Sequence, residues 1–373
     1  MSRFDRTAPW AEGEARILFD CRYTRLERHD GISRFTSELV GALGRRHPVV
    51  MLISDERQLT MLPELPHVLG PGPTSLLEPL IGPRALNRLA PDIVFSPMQT
   101  IGPLLRRYPL VTTVHDLIYY RHPTPPRDLP LVVRGLWRLY HLGYGPQRLL
   151  LNRSDGVVTV SETTRDLIAA HRLTRRPVRV VTNAVAHPDV PPARVAPTGR
   201  DLLYTGSFMP YKNVETLASA MHRLPGWRLR LLSRVPDEAR RRLEALAPDG
   251  SLDFLDGVDD EAYAEALGAA RVLVTASREE GFGLPVIEAM AAGTPVAVSD
   301  IPIFREITGG EAEYFDPDSD AEAAAAIQRL ADDGRWRERS VAGERWSRRY
   351  DWDRSADELL DFLLGVVSAA TRR

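Results

Sequence analysis

Residues 279–300 read EEGFGLPVIEAMAAGTPVAVSD, and their reading decides the fold. The apolar run RVLVTAS (271–277) ahead of them predicts a buried strand, and REEGFG reads as a loop. Pro285 suits the first turn of a helix. Gly293 suits its end, and Pro295 opens the next strand, PVAVS. The order strand, glycine loop, helix, strand is the repeating unit of a parallel α/β sheet. Gly281 and Gly283 let the backbone come close to a ligand, and the helix that follows offers N–H groups to a phosphate. Glu288 lies about one turn into that helix, and its side chain leans back toward the loop. There its carboxylate can accept hydrogen bonds from two vicinal hydroxyls, as a ribose presents. Glu280 stands at the mouth of the loop, able to meet whatever lies beyond the phosphates. Either glutamate alone fits a plainer role, a surface residue or a first-turn acid that stabilises the helix dipole by about 0.3–1 kcal/mol. Together with both glycines and Pro285 they exceed what capping requires. GFGLPV is not a dinucleotide fingerprint, because Val286 holds the place of the third glycine.

Strand–helix alternation extends in both directions. Strands are predicted at 16–20, 49–54, 92–97, 110–116, 156–161 and 178–183, with helices over 33–46 and 161–173, the latter N-capped by Ser161. The polar, proline-rich stretch AHPDVPPARVAPTGR (186–200) reads as a domain boundary. The pattern then restarts, with strands at 202–207, 227–233, 252–255, 271–277, 295–299 and 312–316, and helices at 213–222, 237–247, 260–269, 285–292 and 319–332. From Gly334 the tail reads as helical throughout. At 373 residues the chain exceeds one ordinary core. The expected organisation is a domain over 1–188, a second over 189–350, and a terminal helix, 351–373, that can pack back on the first. Both domains read as doubly wound, Rossmann-like α/β folds facing one another across a central cleft. Hydrophobic content of 43% and charged content of 26% are ordinary for a globular protein. A net charge of -2 gives no reason to expect a nucleic-acid partner. The single cysteine excludes an intramolecular disulfide and fits the cytoplasm. The first residues lack an apolar signal core, and no apolar run is long enough to span a bilayer.

The segment EEGFGLPVIEAMAAGTPVAVSDIPIFREI (279–307) resembles the glutamate–seven residues–glutamate motif of retaining glycosyltransferases of the GT-B fold, family four. Other segments match in order. YTGSFMPYKN (204–213) is similar to the family's phosphate-binding strand and loop, and TVSETTRDL (159–167), TNAV (182–185) and DGVDDEAYAEALGAARVLV (256–274) resemble its further motifs. The resemblance covers most of the chain and is strongest over 200–317.

The resemblance implies a site. Lys212 would stabilise the charge that develops as a nucleoside diphosphate leaves. Glu280 would face the donor sugar as a hydroxyl ligand rather than a nucleophile, and Glu288 would hold the ribose. The backbone of Gly281, Phe282, Gly283 and Leu284 would cradle sugar and phosphate, with Gly206 and Ser207 on the phosphate loop and Val258 near the base. From the N-terminal half, His115 would line the sugar site and Gly31 would let its loop approach the donor. Gly31 also fits a simple connector with Ser33 as N-cap. Asp116 reads as structural. Relatives often carry an arginine where Ser207 and Tyr211 stand, so either Lys212 works with backbone donors or an arginine comes from elsewhere. DPDSD (316–320) suggests an Asp-x-Asp metal motif, but Asp318 or Ser319 fits better as the cap of the next helix, and no metal is expected.

The implied donor is a nucleotide-sugar, GDP-mannose first and a UDP-sugar next, with no further cofactor. The implied acceptor is a glycan, a lipid-linked or a small-molecule hydroxyl. The stretch 134–153, with Arg134, Arg138, Arg148 and Arg153 among Trp137, Tyr140 and Tyr144, reads as a core-facing helix with a basic face. Its alternative is peripheral contact with the inner face of a membrane. Gly143, Gly145 and Pro146 should break it. The rival functional readings are another GT-B enzyme, an epimerase or a phosphorylase, and a non-catalytic protein that binds nucleotide-sugars or glycans.

Overall fold

Continuous Val/Ile/Leu runs favour strands covered on both faces, and both sheets of this protein are built from such runs. The computed structural model describes residues 9–27, 29–73, 78–99, 105–124, 131–187 and 195–372. It divides into two compact units, Met1–Asn183 with Asp351–Arg373, and Ala184–Tyr350. The division falls just ahead of the proline-rich stretch, of which 188–194 lie outside the described residues.

In the first unit the described strands are β1 (Ile17–Asp20), β2 (Val49–Ile53), β3 (His67–Leu69), β4 (Ile93–Ser96), β5 (Leu110–Val114), β6 (Gly156–Thr159) and β7 (Val178–Val180). They form one parallel sheet in the order β3-β2-β1-β4-β5-β6-β7. Its helices are α1 (Gly31–Gly44), α2 (Glu78–Leu89), α3 (Ile118–Arg121), α4 (Leu131–Tyr140), α5 (Gly145–Arg153) and α6 (Glu162–Ala170). The break between α4 and α5 spans Gly143, and Pro146 sits in the first turn of α5. Ser161 caps α6, its side chain accepting from the Thr164 N–H.

Two expectations at α1 change. Asp30, not Ser33, is the N-cap, its Oδ1 accepting from the Ser33 N–H at 2.8 Å. Gly31 is therefore the first helical residue rather than a loop residue. Ser33 is buried in the first turn, where its hydroxyl receives the Arg25 N–H at 3.1 Å and ties the preceding loop to the helix. β3 was not expected. It has three residues and lies at the sheet edge behind Pro63 and Pro66, so neither length nor alternation marks it.

In the second unit the strands are β8 (Asp201–Tyr204), β9 (Arg228–Leu231), β10 (Leu252–Phe254), β11 (Val272–Thr275), β12 (Val296–Ser299) and β13 (Glu313–Phe315). They are parallel, in the order β10-β9-β8-β11-β12-β13. The helices are α7 (Val214–Ala220), α8 (Asp237–Glu244), α9 (Asp260–Ala269), α10 (Leu284–Ala291), α11 (Pro302–Thr308), α12 (Asp320–Arg329) and α13 (Asp333–Ser347). Ser319 caps α12, accepting from the Glu322 N–H at 3.2 Å. The strand order reverses between β8 and β11. Loops leaving the carboxyl ends of these neighbours depart to opposite sides and leave a crevice between them.

The tail is two helices. α13 ends at Ser347, and α14 (Trp352–Thr371) begins behind Asp351, which accepts from the Arg354 N–H at 3.0 Å. α14 belongs to the first unit. Its Trp352 ring stands 6.1 Å from Phe35 of α1, and Asp353 pairs with Arg46 at 2.9 Å. Phe362 lies over Gly156, where a Cβ would come within 2.8 Å of the ring.

Candidate functional site

The carboxyl ends of β8 and β11 carry most of the residues singled out from the sequence. β8 ends in Tyr204, whose side chain is fully buried and whose hydroxyl donates to the Ser207 carbonyl at 2.7 Å. Gly206 holds φ +147°, and a Cβ there would meet the Tyr204 hydroxyl at 3.1 Å, so the tight exit requires glycine. Its N–H donates to Ser233 Oγ at 3.0 Å. The chain then makes one 3₁₀ turn, Pro210–Lys212, and reaches Asn213 in the left-handed region at φ +53°. Asn213 is buried. Its amide donates to the carbonyls of Ala276 (3.2 Å) and Pro317 (2.6 Å), pinning the turn to the segments after β11 and β13.

That pin aims Lys212 across the crevice. Its ammonium lies 2.6 Å from Glu280 Oε1, with side chains only 17% and 13% exposed. It also sits 5.5 Å from the centre of the Tyr211 ring, an attractive placement for a cation. Glu280 is held from behind by Ser277. That residue is fully buried, and its hydroxyl donates to the same Oε1 at 2.8 Å and contacts Thr275 Oγ1 at 3.1 Å. The backbone N–H of Arg278 donates to the Tyr211 carbonyl at 2.8 Å, closing the two loops on one another. The Arg278 guanidinium is engaged by Asp318 at 2.6 Å.

The glycine loop leads into α10. Gly283 is its N-cap at φ +95°, where a Cβ would lie 2.9 Å from the Phe304 ring and 3.1 Å from Ile307. Phe282 is buried, its ring edge-on to Tyr350 at 5.5 Å. Its side chain thus faces the core. Glu288 is the fifth residue of α10, and its Oε2 accepts from the Tyr263 hydroxyl at 2.6 Å. Val258 follows Gly257 (φ +105°) in the turn between β10 and α9, at the sheet's outer edge.

The structure therefore gathers Gly206, Ser207, Lys212, Glu280, the 281–284 backbone and Glu288 around one reversal of strand order. It also supplies three residues that sequence reasoning missed, Asn213, Ser277 and Tyr263. An asparagine ahead of a helix was a usable sign of a left-handed turn. The partnerships of Ser277 and Tyr263 leave no local pattern. Among the described residues no group of three His, Cys, Asp or Glu side chains is placed to hold a metal ion.

His115 and Gly31 belong to the first unit. His115 follows β5, next to β4 at that sheet's own reversal of order. Its Nε2 lies 2.7 Å from the Pro97 carbonyl and so carries the proton. Its ring stands edge-on to Phe35 at 5.2 Å. With Nε2 committed as a donor, the neutral ring presents Nδ1 as an acceptor. Burial pushes the His115 pKa below the usual value, while the Pro97 hydrogen bond and Asp30 act the other way more weakly. Asp116 caps α3 by accepting from the Ile118 N–H at 3.0 Å, a structural task.

Comparison with known proteins adds to this geometry. A family described as "Glycosyl transferases group 1" matches residues 199–333, and one described as "Glycosyltransferase Family 4" matches 29–187. O-antigen chain mannosyltransferase B of Escherichia coli is 30% identical over 282 residues, covering 67% of this chain and 69% of that protein. The GDP-mannose:cellobiosyl-diphosphopolyprenol alpha-mannosyltransferase of Xanthomonas oryzae pv. oryzae is 28% identical over 293 residues, 68% of this chain and 77% of its own length. Among solved structures, the sucrose-phosphate synthase of Thermosynechococcus elongatus superposes with a TM-score of 0.73 at 18% identity, covering 95% of this chain and 100% of that one. Anabaena HepE in complex with UDP and glucose does so at 0.70 and 17%, covering 94% and 100%. These two likenesses concern the fold, which is GT-B.

The His115 environment makes a stability prediction. Its pKa in the folded chain lies below that of the unfolded chain, about 6.5. The unfolded state therefore binds the proton first as pH falls, and stability rises with pH through that window. Wild-type protein should lose stability between pH 7 and 5.5 more steeply than His115→Gln in urea unfolding. Parallel pH profiles for the two would contradict the assignment.

Proposed function

The chain belongs to the group 1 glycosyl transferases of glycosyltransferase family 4, and on that premise we propose that it is a retaining mannosyltransferase using GDP-mannose. The acceptor would be the hydroxyl of a glycan or a lipid-linked glycan. The observation that carries this reading is Lys212 Nζ standing 2.6 Å from Glu280 Oε1, at the reversal of strand order and beside the helix that bears Glu288. The relatives named above support mannose, and one of them takes GDP-mannose by its name.

The geometry supports a role for each group. The Glu288 carboxylate takes the vicinal hydroxyls of the ribose. The ammonium of Lys212 and the N–H groups opening α10 meet the diphosphate, where preorganised donors stabilise the charge of the leaving group. The phosphate takes the ammonium over from Glu280, whose Oε1 keeps the Ser277 hydroxyl and gains a hydroxyl of the sugar. The acceptor oxygen bonds to the anomeric carbon on the face from which the diphosphate departs. The bond from that carbon to the phosphate oxygen breaks, and the leaving phosphate takes the acceptor's proton. Glu280 forms no covalent bond to the sugar, its Oε1 serving as a hydrogen-bond acceptor for Ser277 and the sugar hydroxyl. Where relatives place an arginine, Tyr211 offers a ring face to the Lys212 charge. In the first unit His115 presents Nδ1 as an acceptor after β5, and Gly31 opens α1 behind the Asp30 cap.

A second part of the proposal concerns the membrane. No helix among the described residues is long and apolar enough to cross one. Residues 131–153 nonetheless expose Val133 (42%), Leu139 (64%), Leu142 (80%) and Leu149 (55%). Four arginines, Arg134, Arg138, Arg148 and Arg153, lie among them, with no Asp or Glu from 129 to 154. Apolar side chains within an all-cationic segment suit the surface of an anionic bilayer, where a lipid-linked acceptor would be found.

Thermal unfolding with GDP, UDP and their sugar conjugates tests the donor. At a hundred times its dissociation constant, a bound nucleotide stabilises the native state by about 2.7 kcal/mol. Glu288→Ala should abolish that shift, whereas Glu280→Ala should keep it and lose turnover. No shift with any nucleotide, together with no turnover, would favour a glycan-binding protein instead. For the membrane, flotation with phosphatidylglycerol-containing vesicles should carry the wild type and leave Leu139→Asp/Leu142→Asp behind, with phosphatidylcholine alone carrying neither. Equal behaviour of the two proteins would contradict that part.

A further inference from the structure

The contact between Tyr263 and Glu288 goes beyond what the donor reading requires. Tyr263 is the fourth residue of α9. The helix is capped by Asp259, whose Oδ1 accepts from the Ala262 N–H at 2.8 Å. It follows the turn in which Asp256 (φ +52°) and Gly257 (φ +105°) hold left-handed conformations. Asp256 is fixed there by the Val235 N–H and by Arg240, and the Gly257 N–H donates to the Leu232 carbonyl at 2.9 Å. α9 is thus anchored at its start, and one turn further on it delivers a phenol hydroxyl to Glu288 Oε2 at 2.6 Å, across 25 residues of sequence. An O–H donated to a carboxylate at this distance is of the charge-assisted, strong kind.

Such a bond has two consequences for Glu288. A glutamate side chain has three rotatable torsions, and ordering it against a ligand costs conformational entropy unless it is ordered beforehand. The Tyr263 hydroxyl orders it. A carboxylate also has about four acceptor positions on its two oxygens. The tyrosine takes one on Oε2, so the geometry of what remains is fixed relative to α9. We propose that Tyr263 is a positioning residue of the donor site. Its hydroxyl holds the Glu288 carboxylate in the orientation that accepts both vicinal hydroxyls of the donor's ribose, and so sets the preference for ribonucleotides over nucleotides lacking those hydroxyls. The proposal rests on the reading of Glu288 as the ribose ligand.

A tyrosine that merely ties α9 to α10 would contribute to stability and leave ligand preference alone. The test therefore reads preference. Calorimetric titration of wild type and Tyr263→Phe with GDP and with 2′,3′-dideoxy-GDP, and with the corresponding uridine pair, gives one ratio of dissociation constants per protein. The wild type should favour the ribonucleotide by about tenfold or more, as expected when hydrogen bonds to a charged group are lost. Tyr263→Phe should reduce that ratio by about three- to tenfold through weaker binding of the ribonucleotide, with the dideoxy affinity unchanged. The variant is nearly isosteric, and its thermal unfolding verifies that it is folded. A folded Tyr263→Phe that keeps the wild-type ratio overturns the positioning role and leaves the ribose reading standing. A wild type that binds the two nucleotides of a pair equally overturns the ribose reading, and the proposal with it.

Discussion

The ion pair between Lys212 and Glu280 is the interaction on which the site depends, and it sets demands on everything around it. Two charges that are both more than four-fifths buried need close geometry and further hydrogen bonds to offset their lost hydration, and removing either leaves the other charge stranded. The structure meets that demand with fixed groups. Ser277 donates to the carboxylate from the buried side, and the Tyr211 ring lies beside the ammonium. Asn213, in a left-handed conformation and bonded to two carbonyls from other segments, holds the lysine turn. The backbone bond from Arg278 to Tyr211 joins that turn to the glutamate loop.

The adjacency of β8 and β11 makes this possible. They pair directly although their first residues, Asp201 and Val272, lie 71 positions apart, an interval filled by β9, β10 and three helices. A doubly wound sheet brings such strands together where its order reverses and opens a crevice beyond their carboxyl ends. The glycines of the site answer the same geometry. Gly206 and Gly283 hold positive φ and sit where a Cβ would press on Tyr204 and Phe304, so the packing behind them calls for glycine.

Most of the fold was legible because buried parallel strands announce themselves as apolar runs. The predicted strands overran by up to three residues, since residues such as Val160, Ser161, Ala276 and Ser277 stay buried after ladder pairing has stopped. β3 was too short to show. At the site, Lys212, Glu280 and Glu288 were singled out from loop position and from the resemblance, and the fold brings them to one reversal of strand order. Asn213, Ser277 and Tyr263 were not, because each acts through partners set by the tertiary fold. Lys212 and Glu280 were both named from the sequence, yet their contact was not, since it spans 68 positions.

The most direct measurement is a double-mutant cycle on kcat/KM for mannosyl transfer from GDP-mannose, or for its slow hydrolysis without acceptor, using Lys212→Ala, Glu280→Ala and the double variant. If the pair works as one unit on the leaving diphosphate and sugar, each single change should cost about a hundredfold or more, and the double variant should be little worse than the worse single. Single variants within a few-fold of the wild type, or losses that simply multiply, would contradict the account.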